Sequence, residues 1–589
     1  MNNLNFLVDV LKESPVFKTL EKNVKPGRTV CASGLSTINK SNIIYALCRL
    51  KGVTAFCLAS DEKEAQTLCN DLSCMGLRAY VYPVRDFNFL DFQSRSHEYE
   101  HARLKVLLKL LNHECDVAIA CVDAAAQLTV PRNVLEQSVI EFEEGKELSL
   151  EKATKALTLL GYERFDAVEG SGQFSLRGGI LDFFMPDSDY PVRCEFWGDE
   201  ITDLSYFDIE TQRRFKKADK ITLSPSTEIV IEDRAALADK IEHKAKLLRS
   251  KNSAKAKEKL FSEAELIRSG AMIANADKFI NQIYDKPESL FDYLDRNTLV
   301  FASEFTAIQE RGKSMDFISN ETLMQGFEDG TLCRGFDRFA LTFNECTEFL
   351  QSHGTIVLEN FVHGSMPIKL SEIISFSTKQ LSAWGGSYKQ LKEDVDGLFT
   401  PESKGVIFAG TERAAKNLCD TFNADGINAV YSEGADKISK GELLVMQGAL
   451  SAGFEYPSQK FFAITYSQVS YRPEKSKKKK KKTGQEIYSL SELAPGDYVV
   501  HNVHGIGVFG GIRKIDTHGV IKDYIKIDYA KGDVLYVPVT QLDMVAKYIG
   551  PKEDSRVKLN RLGSGDWQKA KARVKTSVKD IAKELIELY

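Results

Sequence analysis

The sequence predicts a multidomain α/β protein: a parallel α/β domain split by a β-rich insertion, a second α/β domain, a small antiparallel β barrel and a C-terminal connector helix. Three observations predict it. Short apolar runs of buried-strand type alternate with helical patterns over 27–121 and again over 405–468, the βαβ logic of parallel sheets. Between them, FSLRGGILDFFMP, YPVRCEFWGDEI and TDLSYFDIETQRR read as a β-meander turning at Gly178-Gly179, Asp187-Ser188 and Gly198-Asp199. Near the end, Pro495 to Ile549 carries short alternating runs separated by Gly, Asp and His-Gly turns, the pattern of a strongly bent antiparallel barrel.

A chain of 589 residues is too long for one core and implies roughly three to five domains. With 27% charged and 43% hydrophobic residues the composition is that of an ordinary globular protein, and a net charge of −5 argues against one dominated by nonspecific DNA binding. The 11 cysteines form no CxxC pair and no Cys/His set at zinc spacing, so no metal site is expected and a reducing cytoplasm is. No signal-peptide core and no run of about 18 apolar residues occurs, so neither secretion nor a membrane partner is expected.

In chain order, 1–125 begins the first α/β domain. Gly34-Leu-Ser-Thr-Ile-Asn39-Lys40-Ser41 follows a strand, precedes a helix and has the spacing of a phosphate loop, except that Asn39 replaces the second glycine. That glycine lets backbone amides close on the phosphates. The only acid offered at a nearby strand end is Asp123, so the expectation is a degenerate nucleotide site, with an NTPase using Lys40 and Ser41 as the alternative. The β-rich insertion spans 126–222, the first domain resumes over 223–345 with a buried strand at TLVFASE, and the second α/β domain spans 346–470. Glu304, ending that strand, reads as an ordinary helix-starting carboxylate. The linker 471–493 holds six consecutive lysines, Lys477 to Lys482, either a solvated tether or one that also touches DNA phosphates. The barrel occupies 494–550. Over 551–589 Trp567, Ala570, Val574, Val578, Ile581, Leu585 and Leu588 recur at helical spacing, a core-type face.

GDYVVHxxHGIGxF followed by DYIKIDYAxGDxLYVPVxQL resembles the RNA-polymerase-interacting domain shared by CarD-type regulators and transcription-repair coupling factors. The resemblance implies a Tudor-like barrel that binds the β subunit of RNA polymerase, with Ile515, Ile525 and Tyr536 on its contact strands. The insertion resembles that of the UvrB family, whose pattern RGxxLDxFP, RxxxF, FDxxTQR is carried by Arg177, Gly178, Asp182, Phe184, Pro186, Arg193, Trp197, Phe207, Asp208, Gln212 and Arg213. It implies UvrA binding, with Arg177 and Arg193 at the family's contact arginines and Trp197 where phenylalanine is common. Two forked guanidiniums beside an aromatic suit a protein hot spot.

Both regions in this order are similar to the N-terminal portion of the coupling-factor family. That implies a protein that binds stalled polymerase and recruits UvrA for excision repair. LGSGDWQKAKARVK would open the family's connector to its ATP-driven translocase, so the chain is expected to stop short of the motor, to be no enzyme and to need no cofactor. ATP and Mg2+ would belong to the full-length family, as would most DNA contact. A polymerase regulator without a repair role remains an alternative.

Overall fold

The computed structural model describes residues 4–85, 97–138, 140–248, 253–270, 276–361, 366–385, 387–466, 485–486, 495–501, 504–517, 520–538, 545–548, 559–562 and Trp567. They fall into two compact units, one of 1–90 and 97–473, the other of 91–96 and 474–589.

The first unit is founded on a seven-stranded parallel sheet in the order Glu372–Ser375, Val30–Ser33, Thr355–Leu358, Leu299–Ser303, Ala55–Ala59, Val117–Cys121, Ala79–Tyr82. Val30–Ser33, Ala55–Ala59, Val117–Cys121 and Thr355–Leu358 are buried at every position. Such strands must be continuously apolar, because helices cover both faces of a parallel sheet. The chain leaves this sheet after Val117–Cys121 and rejoins it at Leu299–Ser303. Two returning strands, Thr355–Leu358 and Glu372–Ser375, lie beyond the domain boundary expected at 345. A short buried run does not say which of two parallel sheets it will join.

The excursion contains an antiparallel pair, Ile140–Glu143 with Lys220–Leu223, and a six-stranded sheet. Its order is Arg214–Lys217, Glu200–Phe207, Val192–Trp197, Ile180–Phe183, Gln173–Arg177, Glu163–Arg164. Phe142, Leu157, Phe183, Val192, Cys194 and Leu204 form its core with the helix Leu150–Leu159 on one face. The alternate residues Asp182, Arg193 and Glu195 point to the other face, the half-solvated arrangement of an antiparallel sheet.

The second α/β sheet runs Lys379–Leu381, Gly453–Tyr456, Phe461–Thr465, Lys404–Phe408, Glu442–Met446, Ala429–Tyr431, with the last four strands parallel. Its inner face shares one continuous core with the first sheet: Phe6, Leu7, Leu11, Ile43 and Leu47 pack with Val406, Phe408, Met446, Phe454 and Phe461. The helix Thr37–Lys51 lies in that core with every residue from Ile38 to Cys48 buried. A helix enclosed all round is an interior strut and presents no face to solvent.

The second unit is a six-stranded antiparallel sheet, Gln485–Glu486, Val545–Lys547, Tyr498–His501, Gly505–Thr517, Val520–Asp528, Val534–Pro538. Its core is Val499, Phe509, Ile525, Ile527, Tyr529, Leu535, Val537 and Val545. The register shifts between Phe509 and Ile512, across Gly510-Gly511, where Gly511 has φ +91°. A bulge there bends the long hairpin. Asn560 Oδ1 and the Trp567 ring stand 2.5 and 2.8 Å from where a Cβ on Gly505 would be, so Trp567 is a packing residue. The lysine run 477–482 and the rest of the expected connector helix lie outside the described residues.

Candidate interaction surfaces and a filled phosphate loop

The phosphate-loop motif is placed where a nucleotide site would be, after the strand Val30–Ser33, but its loop is wound up. The helix begins at Thr37, three residues before Lys40, and the Lys40 N–H donates to Ser36 O at 3.0 Å. The Lys40 amide, one of those that would face a phosphate, is thereby spent inside the helix. Two amides before the helix are taken by carbonyls of another strand end: Gly34 N–H donates to Asn360 O (3.2 Å) and Leu35 N–H to Glu359 O (3.1 Å). Gly34, at φ +77°, has Phe376 O 2.2 Å from where its Cβ would be. Asn39 is buried, with its Oδ1 accepting from Ser36 Oγ at 2.6 Å.

Lys40 is 2% exposed, and protein carboxylates supply the negative charge that a phosphate would offer it. Its ammonium donates to Glu304 Oε1 (2.5 Å), Ser303 Oγ (2.9 Å) and Glu64 Oε1 (3.4 Å). Burial pushes the Glu304 carboxyl up, but the Lys40 charge and hydrogen bond and the Asn360 N–H outweigh it and hold Glu304 below the usual range. Glu304 itself starts the helix Phe305–Asp329 with left-handed backbone, φ +56°. Beside it Glu359 is pushed up to about 7 by burial and by the Glu304 charge, against the Phe305 N–H it accepts at 2.8 Å. Ser41, the would-be Mg2+ ligand, donates to Asp71, whose carboxyl burial lifts to about 6 despite further bonds from Ser451. Asp123 is engaged elsewhere, in a fork with Arg311 at 3.0 and 2.7 Å.

The open face of the insertion sheet brings Arg177, Arg193 and Trp197 to one side. Arg177 pairs with Ile180, Ile180 with Glu195, and Asp182 with Arg193, so alternation places all of them with Trp197 on that face. Phe196 N–H donates to Gly179 O, and a Cβ on Gly179 would stand 2.7 Å from Phe196 O, so the absence of a side chain lets the strand carrying Trp197 approach the turn after Arg177. Trp197 is 80% exposed. Asp182, fully buried, accepts from Arg193 Nε (2.7 Å) and Nη2 (2.8 Å) and from Arg177 Nη2 (2.7 Å). Its hydrogen bond and charge raise the Arg193 guanidinium further.

On the second unit, Tyr536 is half-buried opposite Lys526, on the face away from the core. Ile515 stands opposite Lys522 in the hairpin, and its side chain lies outside the described residues. Ile525 is corrected: it is 0% exposed and packs inward with Ile527, because alternation along the strand sends 525 and 527 to the core. A partner cannot touch it without unfolding the sheet.

Sequence reasoning missed Glu64, Ser303, Glu359 and Asp71 at the loop. Lys40 meets Glu64 and Glu304 across 24 and 264 residues of chain, beyond any local pattern.

The geometry defines a class first: a multidomain α/β chain with a β-rich insertion in its first sheet and a separate antiparallel β module. Residues 140–229 match the UvrB interaction domain family and residues 493–549 the CarD-like/TRCF RID domain family. The chain is 30% identical over 595 residues to the transcription-repair-coupling factor of Bacillus subtilis, covering 98% of this chain and 50% of that protein. It is 26% identical over 600 residues to that of Staphylococcus aureus strain MRSA252, covering 100% and 50%. It is 29% identical over 528 residues to that of Staphylococcus haemolyticus, covering 87% and 44%. It is an Mfd-like protein, and it spans about half the length of these curated relatives.

That finding overturns one expectation. A protein matched over 98% and 100% of its length by transcription-repair-coupling factors, a family described above as ATP-driven translocases, is not classed as a non-enzyme on the strength of where the sequence stops. No described helix is long and apolar enough to cross a membrane.

Proposed function

We propose that this chain carries the recognition steps of transcription-coupled excision repair: it holds the β subunit of RNA polymerase with one module and UvrA with another. The observation that supports this most is the presence, in one chain and in this order, of a UvrB interaction domain and a CarD-like/TRCF RID domain. Within the first, Trp197 and Arg177 supply an exposed aromatic and a charged fork on an open sheet face, the composition of a hot spot. Within the second, which we read as a Tudor-like barrel followed by a connector helix, Val534–Pro538 is a terminal strand of the sheet. Polymerase would dock along it by strand contacts, with Tyr536 and Ile515 as side-chain contacts. The ATP and Mg2+ of the full-length family would act away from Lys40, whose loop is filled by protein.

A paired pull-down tests the proposal. The full chain should retain purified UvrA and purified RNA polymerase separately. Trp197→Ala should abolish the first alone and Tyr536→Glu the second alone. Capture of polymerase without UvrA would favour a plain transcription regulator, and capture of neither would refute the proposal.

A further inference from the structure

Arg177 and Arg193, on adjoining parts of the insertion sheet, are alike in the motif and unlike in place. Arg193 is 13% exposed at its side chain, and its donors are nearly spent. Besides the fork to Asp182, Nη1 donates to Gln212 O and Nη2 to Gln212 Oε1, each at 3.2 Å. Its guanidinium also stacks 4.5 Å from the centroid of the buried Phe207 ring. Gln212 has φ +59°, a left-handed conformation unusual outside glycine, at the end of the turn that Asp208 closes through the N–H groups of Thr211 and Gln212. Arg193 therefore ties that turn to the sheet.

Arg177 is 50% exposed and spends only Nη2 on Asp182, leaving Nε and Nη1. Two further acids of this face are already engaged: Arg214 pairs with both Glu195 and Asp203, and Lys217 with Asp203. Arg177 thus keeps open donors at a half-exposed side chain, and register places it on the face with Trp197.

Resting on the reading that this face receives UvrA, we propose that Asp182 is a positioning residue that divides the work of the two arginines. It locks Arg193 into the sheet as structure and grips Arg177 by one edge, so that the other edge, with Trp197, takes a carboxylate on an acidic patch of UvrA. A guanidinium holds its donors in a rigid planar fork, so one edge can stay on Asp182 while another meets a second carboxylate at a fixed angle; an ammonium is a compact, strongly hydrated point charge with no such fork.

The test is a double-mutant cycle with the full chain and purified UvrA. Asp182→Asn keeps the shape and removes the charge. It should weaken UvrA about tenfold in the parent and less than about twofold in an Arg177→Ala background, because it acts through Arg177. Arg177→Lys should bind as weakly as Arg177→Ala. Arg193→Lys should lower the melting temperature of the insertion, and Arg177→Ala should leave it unchanged. Equal losses from Asp182→Asn in both backgrounds, no loss in the parent, or parent-like binding by Arg177→Lys would each overturn the inference. The underlying assignment fails separately, if Arg177→Ala and Trp197→Ala both bind UvrA like the parent. Should Asp182→Asn not fold, the Arg177→Lys comparison still decides.

Discussion

Replacing Lys40 by methionine separates a structural lysine from a catalytic one. Methionine keeps the unbranched stem, so little cavity is created, but the ammonium that joins Glu304, Glu64 and Ser303 is removed from a site 2% exposed to water. Breaking a buried ion pair by deleting one partner costs about 3–5 kcal/mol, because the other charge is left uncompensated. Here the lower end applies. Glu64 still accepts from Ser60 N–H and Oγ, Glu304 still accepts from Asn360 N–H, and Glu304 is partly open to water. A loss of about 3 kcal/mol lowers amide protection about a hundredfold in a segment that exchanges through the opening of this core. Hydrogen exchange read by mass spectrometry on peptides covering 37–51 and 299–310 measures it. Glu304→Gln added to Lys40→Met should restore over half of the protection, since the amide still accepts from Asn360 and the one carboxylate left of the pair, Glu64, keeps the hydrogen bonds of Ser60 and Ser303. Parent-like protection in Lys40→Met, or an ATP turnover by the parent chain that this change abolishes, would refute the assignment of Lys40 as a strut.

Three more perturbations check other parts of the structure. The Glu359 carboxyl, held at about 7 in the fold against an ordinary 4.5, binds its proton more tightly folded than unfolded. Its stabilising contribution is therefore full at low pH and lost as pH rises through 7; thermal melts at about pH 5 and about pH 8 should show a decline that Glu359→Gln flattens, and an equal decline in both proteins would count against it. Gly34→Ala meets Phe376 O and must hold φ +77°, so it should destabilise by about 1–3 kcal/mol, and a melt superimposing on the parent's would disprove that approach. Ile525→Arg should unfold the second unit, visible as loss of far-ultraviolet dichroism and of polymerase binding together, whereas Tyr536→Glu should lose binding with the dichroism intact.

The legible parts of the sequence were those where one short segment carries its own answer. Continuous apolar runs such as AFCLA and VAIAC announce buried parallel strands, and the alternation in VRCEFW announces a sheet with one wet face. Asn39 in place of glycine marked the phosphate loop as degenerate. What fills it was illegible, because Glu304, Glu359 and Asn360 arrive from strands more than 250 residues away that happen to be neighbours in the sheet. The same distance hides the pairing of Thr355–Leu358 with Val30–Ser33 and Leu299–Ser303. Arg177 and Arg193 look equivalent in a motif, and only the depth of Asp182 and the turn at Gln212 tell them apart. Ile525 is different in kind: its inward direction follows from alternation with Ile527, and the family contact strand outweighed it.

The winding of residues 37–40 into helix limits what a single substitution could do to this loop. Restoring a glycine at 39 would not restore a nucleotide site, since the helix would still claim the Lys40 amide, the carbonyls of Glu359 and Asn360 would still sit on Gly34 and Leu35, and Glu304 would still hold the ammonium. Each of these occupants can be lost singly without reopening the loop, and each loss alone weakens the interior that two sheets now share. Opening a cleft at Lys40 would therefore take several changes at once, each of which removes a tie from the joint between the two sheets.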